Sequence, residues 1–143
     1  MSLPPDQRRP FPAGRVVIAG GSGFLGVALG RALEREGCKV VVLTRDPGRY
    51  RGPGRAVGWD GRTAEESWAA ELEGAAALVN LVGKPVDCRR TAANRDEIVR
   101  SRVDSCEALG AALRLVYRPP AVWVQAASLA IYGHAGNRIC DEA

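Results

Sequence analysis

The β-branched run RVVIAG at 15–20 ends on the first glycine of Gly20-Gly21-Ser22-Gly23-Phe24-Leu25-Gly26, and the residues beyond repeat with helical period. Glycines at this spacing, between a strand and a helix, each meet a separate physical need. Gly20 permits a tight turn off the strand. Gly23 omits the Cβ that would hold the backbone away from a pyrophosphate, and Gly26 allows the helix to pack closely on the sheet. The helix N-terminus adds unpaired N–H groups and about half a positive charge. The competing reading is a glycine-rich structural turn with no ligand. A phosphate loop ending in Gly-Lys-Ser/Thr is excluded, because no Lys precedes Lys39.

The rest of the chain alternates in the same way. KVVVLT (39–44), RAVGW (55–59), ALVNLVG (77–83) and AVWVQAA (121–127) read as further strands. Helices are predicted over 24–36, 66–72 and 91–117. On the first, Leu25, Ala28, Leu29, Ala32 and Leu33 share a face, and Gly37 supplies the left-handed residue past its end. On the last, Ile98, Val99, Val103, Cys106, Leu109, Leu113 and Val116 make one stripe, and Pro119 and Pro120 forbid continuation. Strands alternating with helices imply right-handed βαβ units, a parallel sheet and helices on both faces. The predicted fold is α/β, a doubly wound parallel sheet in the order 3-2-1-4-5. Its ligand crevice lies at the carboxyl ends of strands 1 and 4.

Composition narrows the partners. At 143 residues the chain suits one domain, and 46% apolar with 25% charged residues excludes disordered and fibrous classes. The net charge of +4 comes from Arg far more than Lys, without the interleaved aromatics of a nucleic-acid platform, so no nucleic-acid partner is expected. No stretch approaches a membrane span. Cys38, Cys88, Cys106 and Cys140 form no C-x-x-C pair and His134 is the sole histidine, so no metal site is predicted. The cysteines read as reduced thiols in a cytoplasmic protein. MSLPPDQRRPFPAG lacks the apolar core of a secretory signal, and 1–14 reads as a flexible lead-in.

The end of the second strand bears on the choice of dinucleotide. An acid there would hold the adenosine ribose hydroxyls of NAD, whereas this chain has Leu43-Thr44-Arg45-Asp46. Thr44 does not repel a 2′-phosphate, and Arg45 can pair with one bidentately, so NADP is favoured; Asp46 leaves NAD open. Arg49 and Arg51 read as a solvated basic loop. Trp59, Trp68 and Trp123 read as packing residues, Asn80 as a buried amide serving loop backbone, and Arg102 as a residue that could order a loop.

Taken together, these segments carry a resemblance. Residues 19–26 resemble the T-G-x-x-G-x-x-G fingerprint of extended short-chain dehydrogenase/reductases. VVVLTRDP (41–48), VGWD (57–60), LVNLVGKPV (78–86), RRTAANRDEIVRSRVDS (89–105) and PPAVWVQAASLAIYG (119–133) resemble the NAD(P)-dependent epimerase/dehydratase-like subgroup, in that family's order. The resemblance implies a Rossmann-type NAD(P)-binding domain over 15–133. A tail at 134–143 would lead to a substrate lobe outside this sequence. It also implies that Gly20, Ser22, Gly23, Phe24 and Leu25 hold the pyrophosphate and that Arg45 selects NADP. Asp60 would approach adenine, and Leu81, Val82 and Gly83 would line the nicotinamide half. Ser128 would hydrogen-bond a substrate oxygen during epimerase, dehydratase or reductase chemistry on a sugar-nucleotide-like substrate. A homodimer is open. Alternatives are a non-catalytic dinucleotide-binding module and an inactive fragment.

Two departures stand out. Lys84 replaces the acid usual in the subgroup, and the superfamily's Tyr-x-x-x-Lys is missing from the 143 residues. Tyr132 does not occupy that tyrosine's position. Ser128 has a structural alternative, a strand-end serine bonding the following turn.

Overall fold

The computed structural model describes residues 13–128, 133–134 and 136–141; the lead-in up to residue 12 and Tyr132 lie outside the described residues. Strands β1 (Arg15–Ala19), β2 (Lys39–Thr44), β3 (Arg55–Gly58), β4 (Ala77–Asn80) and β5 (Val122–Gln125) make one parallel sheet. Its order is 3-2-1-4-5, as the alternation predicts. Helices α1 (Phe24–Arg35), α2 (Glu66–Ala69) and α3 (Ala92–Leu113) cover it. A 3₁₀ turn over Pro47–Arg49 follows β2, and another over Ala70–Leu72 extends α2.

Pleating sorts the strand residues into two cores. Val16, Ile18, Val40, Val42, Ala77 and Val79 pack on one face with Leu33 of α1. Val17, Ala19, Val41, Leu43 and Leu78 face the other way, toward α2 and α3, where Trp68, Leu72, Ala108, Leu109 and Ala112 meet them. The central strands are apolar on both faces because both are covered. Trp59 and Trp68 pack at 5.1 Å, tilted by 47°, and both indole N–H groups donate to the Thr63 carbonyl, at 3.0 and 3.1 Å.

The helix faces differ from those the periodicity predicts. On α1 the buried residues are Gly26, Gly30 and Leu33, while Leu25, Ala28 and Ala32 are exposed. The helix turns its glycines inward because a Cβ at Gly30 would lie 2.7 Å from Pro53 Cγ, and one at Gly26 still closer to Gly21. On α3 the buried residues are Ser105, Ala108, Leu109 and Ala112, and Val99 and Val103 of the predicted stripe are exposed. Small side chains allow that half of α3 to approach the sheet. β5 lies at the sheet edge, with Val122, Trp123 and Val124 all exposed. Among the described residues no helix is long and apolar enough to cross a membrane, and the four cysteines are free.

Glu73 fixes how the last strand joins. Its carboxylate accepts from the backbone N–H groups of Tyr117 (2.8 Å) and Arg118 (3.2 Å) and from Arg118 Nε (3.0 Å), and Gly74 N–H donates to the Arg118 carbonyl at 2.7 Å. The segments entering β4 and β5 are thereby stapled together. The Arg118 N–H, then the Arg118 side chain, hold the Glu73 carboxyl below its ordinary range. A lowered folded-state value contributes stability that is present above about pH 4.3, the unfolded value, and is lost as pH falls through the lowered one. Denaturant unfolding of Glu73→Gln across the acid range should therefore show a shallower fall in stability below about pH 4 than the unaltered chain.

Candidate dinucleotide-binding site

At the carboxyl ends of the strands, β1 leads toward β2 on one side while β4 leads toward β5 on the other, leaving a crevice between them. Gly20 makes the turn at φ +71°, its N–H donating to the Leu43 carbonyl at 3.1 Å. A Cβ at Gly20 would lie 3.0 Å from the Val82 nitrogen, so this turn and the loop after β4 are in contact. Gly26 fulfils its predicted close approach against a different partner. Its missing Cβ would sit 2.3 Å from Gly21 Cα, so at this residue the helix packs on the turn itself.

Gly23 stands at the helix N-cap in extended conformation (φ −78°, ψ 175°), and a Cβ there would meet only the Gly20 carbonyl, at 3.6 Å. No side chain caps α1 and no acid lies in its first turn, so its N–H groups and dipole face an open space. Phe24 and Leu25 flank that space, 89% and 65% exposed. Ser22 is tied to the end of β2 by the Thr44 hydroxyl, which donates to Ser22 Oγ at 3.2 Å.

Two cavities adjoin at Arg45, which lines both. The first, of about 510 Å³, includes Ser22, Thr44, Arg45, Arg49 and Arg51. Asp46 closes the 3₁₀ turn within it, Oδ1 accepting from Arg49 N–H at 3.2 Å and Oδ2 lying 3.8 Å from Arg49 Nε. Arg51 Nη1 donates to the carbonyls of Gly48 (2.7 Å) and Tyr50 (2.8 Å). Burial, reinforced by Glu34 and opposed by Arg31, raises the Tyr50 hydroxyl above its ordinary value.

The second cavity, of about 400 Å³, is lined by Arg45, Gly58, Trp59, Asp60, Glu65 and Trp68. Asp60 also organises its own loop, accepting from Arg62 and Thr63 N–H (2.8 Å each) and from Thr63 Oγ1 at 2.7 Å. The Thr63 hydroxyl is the largest cause holding the Asp60 carboxyl below its usual range.

Leu81, Val82 and Gly83 follow β4. The buried Asn80 arranges them: Oδ1 accepts from Val82 N–H at 3.0 Å, and Nδ2 donates to Ser105 Oγ (3.3 Å) and Gln125 Oε1 (3.0 Å). Gly83 has no Cβ because Arg102 occupies that space, its Cζ 3.0 Å from the ideal Cβ position. Arg102 orders this loop by donating to the Lys84 carbonyl at 3.3 Å. Lys84 Nζ pairs with Glu97 and donates to Asn94 Oδ1 at 3.0 Å. That ion pair, through the Lys84 hydrogen bond first, lowers the Glu97 carboxyl. Ser128 is exposed, just past the end of β5.

Of the residues singled out in the sequence, Ser22 and Arg45 line the first cavity, and Gly20 meets Val82 of the loop 81–83. Asp60 reaches through the second cavity, and Ser128 sits on the neighbouring strand end. Sequence reasoning missed Arg31, which lines the first cavity, and the partners of Lys84. Replacing Asn80 by Leu would leave the Val82 N–H without its acceptor. Urea unfolding of Asn80→Leu should show a loss of about 1–3 kcal/mol, the cost of stranding a buried donor.

The signature of the NAD dependent epimerase/dehydratase family matches residues 16–143. Epimerase family protein SDR39U1 of Bos taurus is 34% identical over 121 residues, 82% of this chain and 38% of that protein. The crystal structure of human epimerase family protein SDR39U1 (isoform 2) with NADPH superposes at a TM-score of 0.67 and 32% identity, covering 82% of this chain and 38% of that one. MoeE5 in complex with UDP-glucuronic acid and NAD superposes at 0.70 and 25% identity, covering 91% and 42%. The chain thus spans 38% of the length of the curated relative it matches.

Proposed function

The chain belongs to the NAD dependent epimerase/dehydratase family, and from that premise we propose that it holds NADP(H) in the crevice between β1 and β4. It would be the dinucleotide-binding part of a protein acting on a sugar-nucleotide-like substrate. The observation that carries this is the uncapped N-terminus of α1, entered through a turn without a Cβ at Gly23, beside a cavity that Ser22 and Arg45 both line. The donor set fits such a group. Helix N–H groups suit a pyrophosphate, and an arginine beside Thr44 suits a ribose 2′-phosphate. The NADPH in the human relative's structure and the NAD and UDP-glucuronic acid with MoeE5 support the ligand class.

When bound, the dinucleotide supplies a hydride acceptor or donor. The chain's residues then have distinct tasks. The turn at Gly20, Ser22, Gly23, Phe24 and Leu25 grips the pyrophosphate, and Asp60 faces the adenine through the second cavity. Leu81, Val82 and Gly83 shape the nicotinamide half, with Asn80 and Arg102 holding them in place. Ser128 hydrogen-bonds the substrate's reacting oxygen. A hydroxyl of ordinary acidity is a poor proton donor, and the 143 residues contain no Tyr-x-x-x-Lys. That absence favours a second reading of this chain taken alone, a module that binds dinucleotide without turning it over.

Titration calorimetry tests the binding. NADPH should bind tighter than NADH by about 1–2 kcal/mol, the worth of a charge-assisted contact. Gly23→Val should fold, because its backbone is extended and the nearest atom to a new Cβ is 3.6 Å away, yet it should bind neither dinucleotide. Normal binding by that variant would put the pyrophosphate elsewhere. Turnover is a separate matter. The 143-residue chain should oxidise no NADPH with carbonyl or nucleotide-sugar substrates, measured by NADPH absorbance; activity lost in Ser128→Ala would overturn that expectation.

A further inference from the structure

The basic loop after β2 is less available than its sequence suggests. Arg49 is paired with Asp46, the one carboxylate lining the first cavity among the described residues, and Arg51 is bonded to loop carbonyls. Two guanidinium groups in that cavity have no ion pair among the described residues: Arg45, at the end of β2, and Arg31, two turns into α1. The helix offers Arg31 little relief. Its neighbour four residues on is Arg35, and Glu34 is turned to the Gly54 N–H, accepting at 2.8 Å. Arg31 and Arg45 therefore approach one cavity from two different elements, with the Ser22 and Thr44 hydroxyls also lining it.

Four guanidinium groups against one carboxylate make a cavity that a neutral ribose diol does not balance. A phosphomonoester does, and two planar forks from separate elements can hold it from two sides. We propose that Arg31 and Arg45 are the two jaws of a clamp for the 2′-phosphate of the adenosine ribose. Arg31 is the specificity-determining residue supplied by α1. This rests on the dinucleotide reading above and deepens it. The helix fixes the Arg31 backbone, so only its side chain has to be ordered when the phosphate binds.

The experiment is calorimetric titration of the unaltered chain, Arg31→Gln, Arg31→Lys and Arg35→Gln with NADPH and with NADH. Arg35 ends α1 outside the cavity, so its loss removes the same charge without touching the clamp. Arg31→Gln should weaken NADPH about tenfold, equivalent to about 1.4 kcal/mol, with NADH changed far less. Arg31→Lys, which keeps the charge and loses the fork, should fall between Arg31→Gln and the unaltered chain. Arg35→Gln should shift NADPH much less than Arg31→Gln does. Equal weakening of both dinucleotides by Arg31→Gln, or no weakening of NADPH, overturns the clamp and leaves the dinucleotide reading standing. Failure of the unaltered chain to bind either dinucleotide overturns that reading, and the clamp with it.

Discussion

The third residue of α1 crosses the backbone of Gly21 at a distance no side chain tolerates. Because Gly26 and Gly21 both lack a Cβ there, the helix starts directly after the turn at 20–23 instead of after a longer loop. Its axis is thereby aimed at the crevice, and its uncapped N–H groups open where β1 and β4 part. The same approach seats Gly30 on Pro53 and Leu33 in the core beneath. Val42 lies close against Gly21 and Val82 against Gly20, so β1, β2, the loop after β4 and one helix share a single junction. A methyl group added at Gly26 would displace every part of that junction together.

Much of this was legible in the sequence, for a physical reason. The central strands are buried on both faces and so are written in apolar, largely β-branched residues, and their alternation with helices sets the order. The turn could be read because a glycine's function is tied to its spacing. Helix faces were less legible. Apolar periodicity counts large side chains, whereas α1 buries two glycines and α3 buries Ser105, Ala108 and Ala112. Those residues are inside because they are small, which hydropathy does not register. Asn80 was read as an amide serving loop backbone, and its bond to Val82 N–H is that service. Arg31 was invisible because only the fold brings the second turn of α1 beside the end of β2.

Lys84 shows how a local departure can be absorbed. As sequence it is a cation where the resemblance implies an acid. As structure it meets Glu97 and Asn94, while its backbone N–H donates to Ser101 Oγ at 2.9 Å and its carbonyl accepts from Arg102. Charge is restored across the loop rather than within it. These polar ties do for the amino-terminal half of α3 what burial does for the other half, since Val99 and Val103 contribute no core contact there. The loop that lines the crevice is consequently positioned by a helix held through hydrogen bonds and ion pairs.

The strand order also sets a timetable. β1 is synthesised first and lies at the centre, with Val16 facing Val40 on one side and Ala77 on the other. The closer partner emerges early; the farther one waits for β3 and α2 to be made. Loop-closure entropy separates the two pairings by less than about 1 kcal/mol, so the delay is temporal rather than energetic. At roughly 5–20 residues per second, the β4 side of β1 remains an unsatisfied edge for some seconds on a nascent chain. That edge runs from Val16 to Ala19, with β-branched side chains at Val16, Val17 and Ile18. Until Ala77–Asn80 arrives, the central strand of the sheet keeps one edge open.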